Sequence, residues 1–126
     1  MPLITVTLLK GKSAAHKRSI GDAIHQSLVK SGVSSEDRFQ RIIELDEENF
    51  IYNPTYPDLT NPRSADFIII EILFSVGRSV KVKRQILADL MLDLDAIDIN
   101  LNDVMVSFQE TAWENWAFAN GVILHA

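Results

Sequence analysis

A duplicated strand–helix–strand unit is the architecture these 126 residues predict: an α/β (α+β) chain with a four-stranded mixed sheet and two helices on one face. Three observations carry that reading. The chain repeats itself at a single offset. Each copy opens on an apolar strand. Each copy then carries an apolar stripe of helical period.

The offset is 66, the step from Gly11 to Gly77. Gly11-Lys12-Ser13 falls on Gly77-Arg78-Ser79, and Lys17-Arg18 falls on Lys83-Arg84. Ile20 then meets Ile86, Asp37 meets Asp103, Glu44 meets Glu110, and Glu48-Asn49-Phe50 meets Glu114-Asn115-Trp116. One register held over about forty residues marks an internal duplication. The expected organisation is one domain, 1–126, made of two repeats (about 2–51 and 67–117) joined by a proline-rich loop.

Within each copy the elements follow in order. Leu3-Ile4-Thr5-Val6-Thr7-Leu8-Leu9 reads as the first strand, and Phe67 to Phe74 is its counterpart. Both runs are nearly continuous in apolar residues, as in strands covered on both faces. Ser13 and Ser79 follow a glycine and precede a helical pattern, the position of an N-cap. Ile20, Ile24, Leu28 and then Ile86, Leu90, Leu94 recur every four residues, one stripe per helix. Gly32 closes the first helix. The second strands are Phe39 to Leu45 and Val104 to Phe108. A helix between two strands implies that they run parallel with a right-handed crossover. Two helices cover one sheet face only. The other face reads as too apolar for water, and such surfaces mark interfaces.

Between the copies, Asn53-Pro54-Thr55-Tyr56-Pro57-Asp58-Leu59-Thr60-Asn61-Pro62 carries three prolines and two asparagines. That composition predicts an ordered loop, one that packs on a neighbour or borders a site.

Composition narrows the function classes. Hydrophobic residues at 47% and charged residues at 23% are ordinary for a globular chain. A net charge of −5 leaves no basic footprint for nucleic acid. The absence of cysteine excludes thiolate chemistry and fits a cytoplasmic location. The amino terminus lacks the pattern of a signal peptide, and no apolar run approaches the roughly 20 residues of a membrane span. His16, His25 and His125 show no metal-ligand spacing. The first two fall on a charge-rich helix face and are expected in solvent.

Pro2 is the residue with the most chemistry to offer. Methionine before a small residue is normally removed, which would leave Pro2 a free secondary amine. An α-amino group titrates near roughly 8, and burial lowers it towards neutrality, so it could serve as base or nucleophile. A proline beginning a strand, where no ladder donor is needed, is the plain alternative.

Pro2, the duplicated unit and the glycine-basic-serine turn together resemble the tautomerase superfamily, whose members use an amino-terminal proline on a MIF-like fold. The resemblance covers the whole chain. Asp37-Arg38-Phe39-Gln40, Gly77-Arg78-Ser79 and Trp116-Ala117-Phe118 look most like the malonate semialdehyde decarboxylase branch. The resemblance implies a homotrimer whose three sheets form an inner barrel, covering the face left bare above. It implies Pro2 and Asp37 as catalytic residues, with Asp37 orienting water or holding the proline amine. It implies Arg78, Trp116 and Phe118 as substrate-binding residues. The decarboxylase has a second arginine two residues earlier, where this chain has Val76.

Physical chemistry supports some of these roles and leaves others open. Arg78 opens a helix, where free backbone donors favour an anion and a guanidinium adds a two-pronged grip on carboxylate. A turn role shared by Asp37 and Asp103 competes with catalysis. Trp113 is read as packing, Trp116 and Phe118 as walls of a dry pocket, and Arg38 or Arg41 as added positive charge.

The leading expectation is a keto–enol tautomerase in which Pro2 transfers a proton on a small 2-keto or unsaturated carboxylic acid. Decarboxylase or hydratase chemistry with a protonated Pro2 is the alternative, and a non-catalytic trimeric binding module is a third reading. No cofactor or metal is expected. The expected partners are a small carboxylate and two further copies of the chain, without nucleic acid or membrane.

Overall fold

The computed structural model describes residues 1–124, so His125 lies outside the described residues. Strand β1 (Leu3–Leu9), helix α1 (Ala14–Lys30) and strand β2 (Phe39–Leu45) form the first unit. Strand β3 (Ile68–Ser75), helix α2 (Val80–Ala96) and strand β4 (Val104–Thr111) form the second. Both ends of α2 lie 66 residues after those of α1, and β3 and β4 end 66 residues after β1 and β2. The fourth strand therefore runs three residues beyond its expected end at Phe108.

The same local chemistry starts both helices. Gly11 and Gly77 take φ of +116° and +117°, a left-handed conformation that costs glycine nothing and other residues strain. Each is followed by a basic residue and a capping serine. Ser13 Oγ accepts from His16 N–H at 3.0 Å, and Ser79 Oγ accepts from Val82 N–H at 3.2 Å.

The sheet is mixed, in the order β2-β1-β3-β4. Strands β1 and β2 are parallel, as are β3 and β4, while β1 and β3 pair antiparallel across the pseudo-symmetry between units. Both helices pack on one face. Their stripes, Ile20, Ile24, Leu28 and Ile86, Leu90, Leu94, meet Ile4, Val6, Leu8 and Ile68, Ile70, Ile72, Phe74 in one buried cluster. Each such aliphatic side chain contributes about 1.5–3 kcal/mol relative to exposure, which is why spacing alone locates the core.

The opposite face departs from expectation. It is not a continuous apolar sheet but a mixed one. Leu3, Phe39 and Leu73 share a row, whereas Arg41, Thr5, Glu71 and Ser107 stand in register across all four strands. Arg41 Nε donates to Thr5 Oγ1 at 3.0 Å, so this arginine serves the open face. Exposed apolar residues remain there: Phe39 at 49%, Ile43 at 40% and Met105 at 47%.

The inter-unit loop packs on its own chain. Asn53 Oδ1 accepts from the N–H groups of Thr55 and Tyr56, and Arg63 Nη1 donates to the Asn53 carbonyl. Asn102 Nδ2 holds the carbonyls of Asn61 and Pro62. Among the described residues, no helix is long and apolar enough to cross a membrane.

Candidate active site

Sheet order decides which residues meet. Because β1 is parallel to β2 and antiparallel to β3, its start lies between the start of β2 and the end of β3. Strand β4 follows β3, so its end reaches the same edge. Pro2, one residue before Leu3, is buried at that edge. The turn before Phe39 brings Asp37, the turn after Ser75 brings Arg78, and the segment beyond Thr111 brings Trp113, Trp116 and Phe118.

Asp37 faces the amino terminus. Its Oδ2 lies 3.3 Å from the Met1 amine, while Oδ1 is buried without a hydrogen-bond partner among the described residues. The turn carrying it is tied down on several sides. Asp37 N–H donates to the Ser34 carbonyl at 3.0 Å, and Arg38 Nη2 donates to Asp22 Oδ1 at 2.7 Å. His25 Nε2 lies 2.8 Å from the Ser35 carbonyl oxygen. His25 is thus a half-buried tether between α1 and this turn, not a solvated side chain. His16 is half-buried as well, beside Lys12 and Asp66. Arg38 serves its ion pair with Asp22.

Arg78 is held in place by contacts within its own chain. Its Nη1 donates to the Ser75 carbonyl at 3.0 Å, and Cζ sits 4.4 Å from the centroid of the Phe74 ring, a cation–π contact. Burial lowers its pKa, opposed by the charges of Glu110 and Asp37. Asp37 therefore belongs to the electrostatic surroundings of Arg78, and the guanidinium stays charged at any working pH.

The aromatic side chains form an arc. Trp116 Nε1 donates to Ser75 Oγ at 2.9 Å, and the indole stacks on Phe118 at 5.8 Å with 8° between planes. Phe118 lies 5.7 Å from Phe39, at the start of β2. Trp113 is more exposed than a packing residue would be, and its Nε1 donates to the Val76 carbonyl at 3.1 Å.

Sequence reasoning missed Phe39, Phe74 and Ser75 as parts of this edge. A signal was present: the repeat aligns Ser75 with Leu9, a hydroxyl where the other copy has an aliphatic side chain.

The duplicated edge, on the far side of the sheet, shows what the second copy of this design does. Lys12, the mate of Arg78, pairs with the carboxylate of Asp66. Asp103, the mate of Asp37, is buried and accepts from Ser64 N–H and Ser64 Oγ–H, each at 2.7 Å.

Two family models, both described as tautomerase enzyme, match residues 37–119 and 2–59. The chain belongs to the tautomerase family. A probable tautomerase of Bacillus subtilis (strain 168), YusQ, is 25% identical over 123 residues, 96% of this chain and 95% of that protein. Among solved structures, the FG41 malonate semialdehyde decarboxylase inhibited by 3-bromopropiolate is 29% identical with a TM-score of 0.88. That match covers 96% of this chain and 92% of the decarboxylase chain. A second malonate semialdehyde decarboxylase is 26% identical with a TM-score of 0.87, over 96% and 93% of the two chains. The symmetric trimer of a fused 4-OT, at 20% identity and a TM-score of 0.75, shares the fold. The tautomerase relationship makes this chain a member of an enzyme family, with the decarboxylase branch among its structural neighbours.

Proposed function

We propose that the chain catalyses proton transfer on a small 2-keto or unsaturated carboxylic acid, with Pro2 as the base after removal of Met1. The secondary amine takes a proton from the carbon next to the carbonyl, and the electron pair moves onto the carbonyl oxygen. The same proton, returned to that oxygen, completes a keto–enol interconversion. Arg78 binds the substrate carboxylate, and Trp116 with Phe118 limits water around the amine.

One observation carries the reading: a single sheet edge gathers Pro2, Asp37 and a pre-positioned Arg78, three groups distant in sequence. The other repeat supports the carboxylate assignment. There the equivalent cation, Lys12, already holds a carboxylate, that of Asp66. Among the described residues, Arg78 has no such carboxylate bonded to it; its direct partners there are the Ser75 carbonyl and the Phe74 ring.

Decarboxylation or hydration is the second reading, favoured by the placing of Asp37 at the end of the chain that carries Pro2, 3.3 Å from the Met1 amine. In that reading Pro2 works in its protonated form, and the cationic amine would polarise a carbonyl instead of removing a proton. Likeness to the malonate semialdehyde decarboxylases supports this chemistry, and Val76 separates this chain from it at one arginine position. An ultraviolet assay against phenylenolpyruvate and malonate semialdehyde, on protein whose mass verifies loss of Met1, discriminates the two. Turnover of the enol with none of the semialdehyde supports the base; the reverse supports the cationic amine.

The working form is proposed to be a homotrimer joined through the open sheet face. Phe39, Ile43 and Met105 on that face would be covered, and the symmetric trimer of the fused 4-OT offers a precedent in the same fold.

A further inference from the structure

Ser75 ends β3 with no exposed surface, and it is bonded to two side chains of the proposed site at once. Its carbonyl accepts from Arg78 Nη1 at 3.0 Å, and its hydroxyl oxygen accepts from Trp116 Nε1 at 2.9 Å. An indole nitrogen can only donate, so the direction of that second bond is fixed. The preceding residue, Phe74, lies beneath the guanidinium, and the following one, Val76, receives the indole of Trp113.

A fold could require such a bond merely to dock the segment after β4. The duplication tests that alternative inside one molecule. The mates of Ser75, Trp116 and Arg78 are Leu9, Phe50 and Lys12. Leu9 and Phe50 line one shared hollow at the far edge, and neither carries a polar side-chain atom. The same backbone turn, with the same 3-10 turn after its last strand, is therefore built there without any hydroxyl–indole bond. Architecture does not explain the bond.

We propose that Ser75 is a positioning residue that sets the Trp116 indole against the Arg78 guanidinium, so that carboxylate grip and pocket wall meet the ligand in one fixed geometry. The proposal rests on the reading that Arg78 binds a carboxylate. Ser75 touches no ligand itself; it acts through its two partners.

The test uses full-length protein labelled with nitrogen-15, titrated with sodium pyruvate as a 2-keto acid probe. Variants are Ser75→Ala, Ser75→Thr, Trp116→Phe, the Ser75→Ala/Trp116→Phe double, and Arg78→Ala. In Ser75→Ala the Trp116 indole resonance should shift while that of Trp113 stays. The pyruvate Kd should rise about tenfold, the loss typical of one hydrogen bond. Ser75→Thr, which keeps the hydroxyl, should recover most of it. Adding Ser75→Ala to Trp116→Phe should cost nothing more, because the bond is already gone. If Ser75→Ala fails to fold, Trp116→Phe alone should reproduce the loss, phenylalanine being what the other repeat uses. Binding that depends on Arg78 but ignores both Ser75→Ala and Trp116→Phe overturns this inference alone. A Ser75→Ala loss that persists undiminished in the Trp116→Phe background also overturns it. Absence of pyruvate binding, or binding indifferent to Arg78→Ala, overturns the carboxylate reading and this inference with it.

Discussion

Asp37 and Asp103, 66 residues apart, each hold the chain where it enters the first strand of a repeat. Asp37 Oδ2 lies 3.3 Å from the Met1 amine just ahead of β1, and Asp103 binds the N–H and hydroxyl of Ser64 just ahead of β3. One geometry thus serves two ends. Where the chain continues, the aspartate is fully bonded. At Asp37, one carboxylate oxygen has no hydrogen-bond partner among the described residues.

The two aspartates should therefore divide stability from activity. Asp103→Ala removes two hydrogen bonds to a carboxylate that is only 2% exposed. It should cost roughly 2–4 kcal/mol of folding free energy, at about 1.5–3 kcal/mol per bond to a charged group with partial compensation by water. Asp37→Asn should cost less than about 1 kcal/mol, as a partly exposed pair does, yet lower turnover. Urea denaturation beside a steady-state assay measures both. Equal destabilisation by the two changes would contradict the division.

Tyr52 gives the loop a pH signature. Its hydroxyl donates to the Ser64 carbonyl at 2.7 Å, and its pKa is raised by burial and then by the charges of Asp103, Asp66 and Glu47. The folded state thus keeps the phenol proton when the unfolded chain, titrating near roughly 10, has begun to lose it. Stability contributed by Tyr52 is present below that pH and falls as pH rises above it. Melting curves between neutral pH and alkaline pH should show a steeper loss in the parent protein than in Tyr52→Phe.

Much of this fold was legible because its signals are local. Glycine-basic-serine turns, four-residue apolar spacing and the 66-residue offset each follow from short-range chemistry, and the helices fall where those signals put them. The open sheet face was not legible in the same way. Thr5, Arg41, Glu71 and Ser107 are scattered in sequence and become one polar row only through cross-strand register. In the candidate site, Pro2 and Arg78 stand out from the sequence because their chemistry is intrinsic. Ser75 and Phe74 were hidden because their importance lies in what β4 and α2 bring to them. Trp113 was misread for a related reason: its indole seeks a carbonyl, Val76, that sequence cannot place beside it.

The open face makes the oligomer testable. Sedimentation at micromolar concentration should give a species of three chains. Ile43→Arg, placing a charge among the exposed apolar residues of β2, should shift it towards single chains. A parent protein that sediments as a stable monomer would sink the proposed assembly.

Pro2→Ala probes the base directly. Alanine also follows a removable methionine and leaves a free amine, but a primary one without the ring. Activity on whichever acid is turned over should fall, with folding unchanged, since the first ladder pair begins at Leu3. Mass spectrometry must verify Met1 removal in both proteins. Unchanged rates would make this proline a strand-starting residue and nothing more.

Arg78 and Lys12 form the matched pair that separates a substrate clamp from a helix-start charge. Both follow a left-handed glycine and both precede a capping serine. Lys12 spends its charge on Asp66, whereas Arg78 is bonded to a carbonyl and an aromatic ring. Arg78→Ala should therefore lower kcat/KM by roughly thirty- to a thousandfold, the equivalent of about 2–4 kcal/mol for a lost charge-assisted contact. Arg78→Lys should restore only part, because an ammonium cannot reproduce the planar fork. Lys12→Ala should leave kcat/KM within about twofold, since only a surface ion pair is lost. Both variants should stay folded, neither side chain belonging to the buried cluster. Small and equal effects from the two substitutions would mean that both basic residues simply begin helices, and the carboxylate would have to be bound elsewhere.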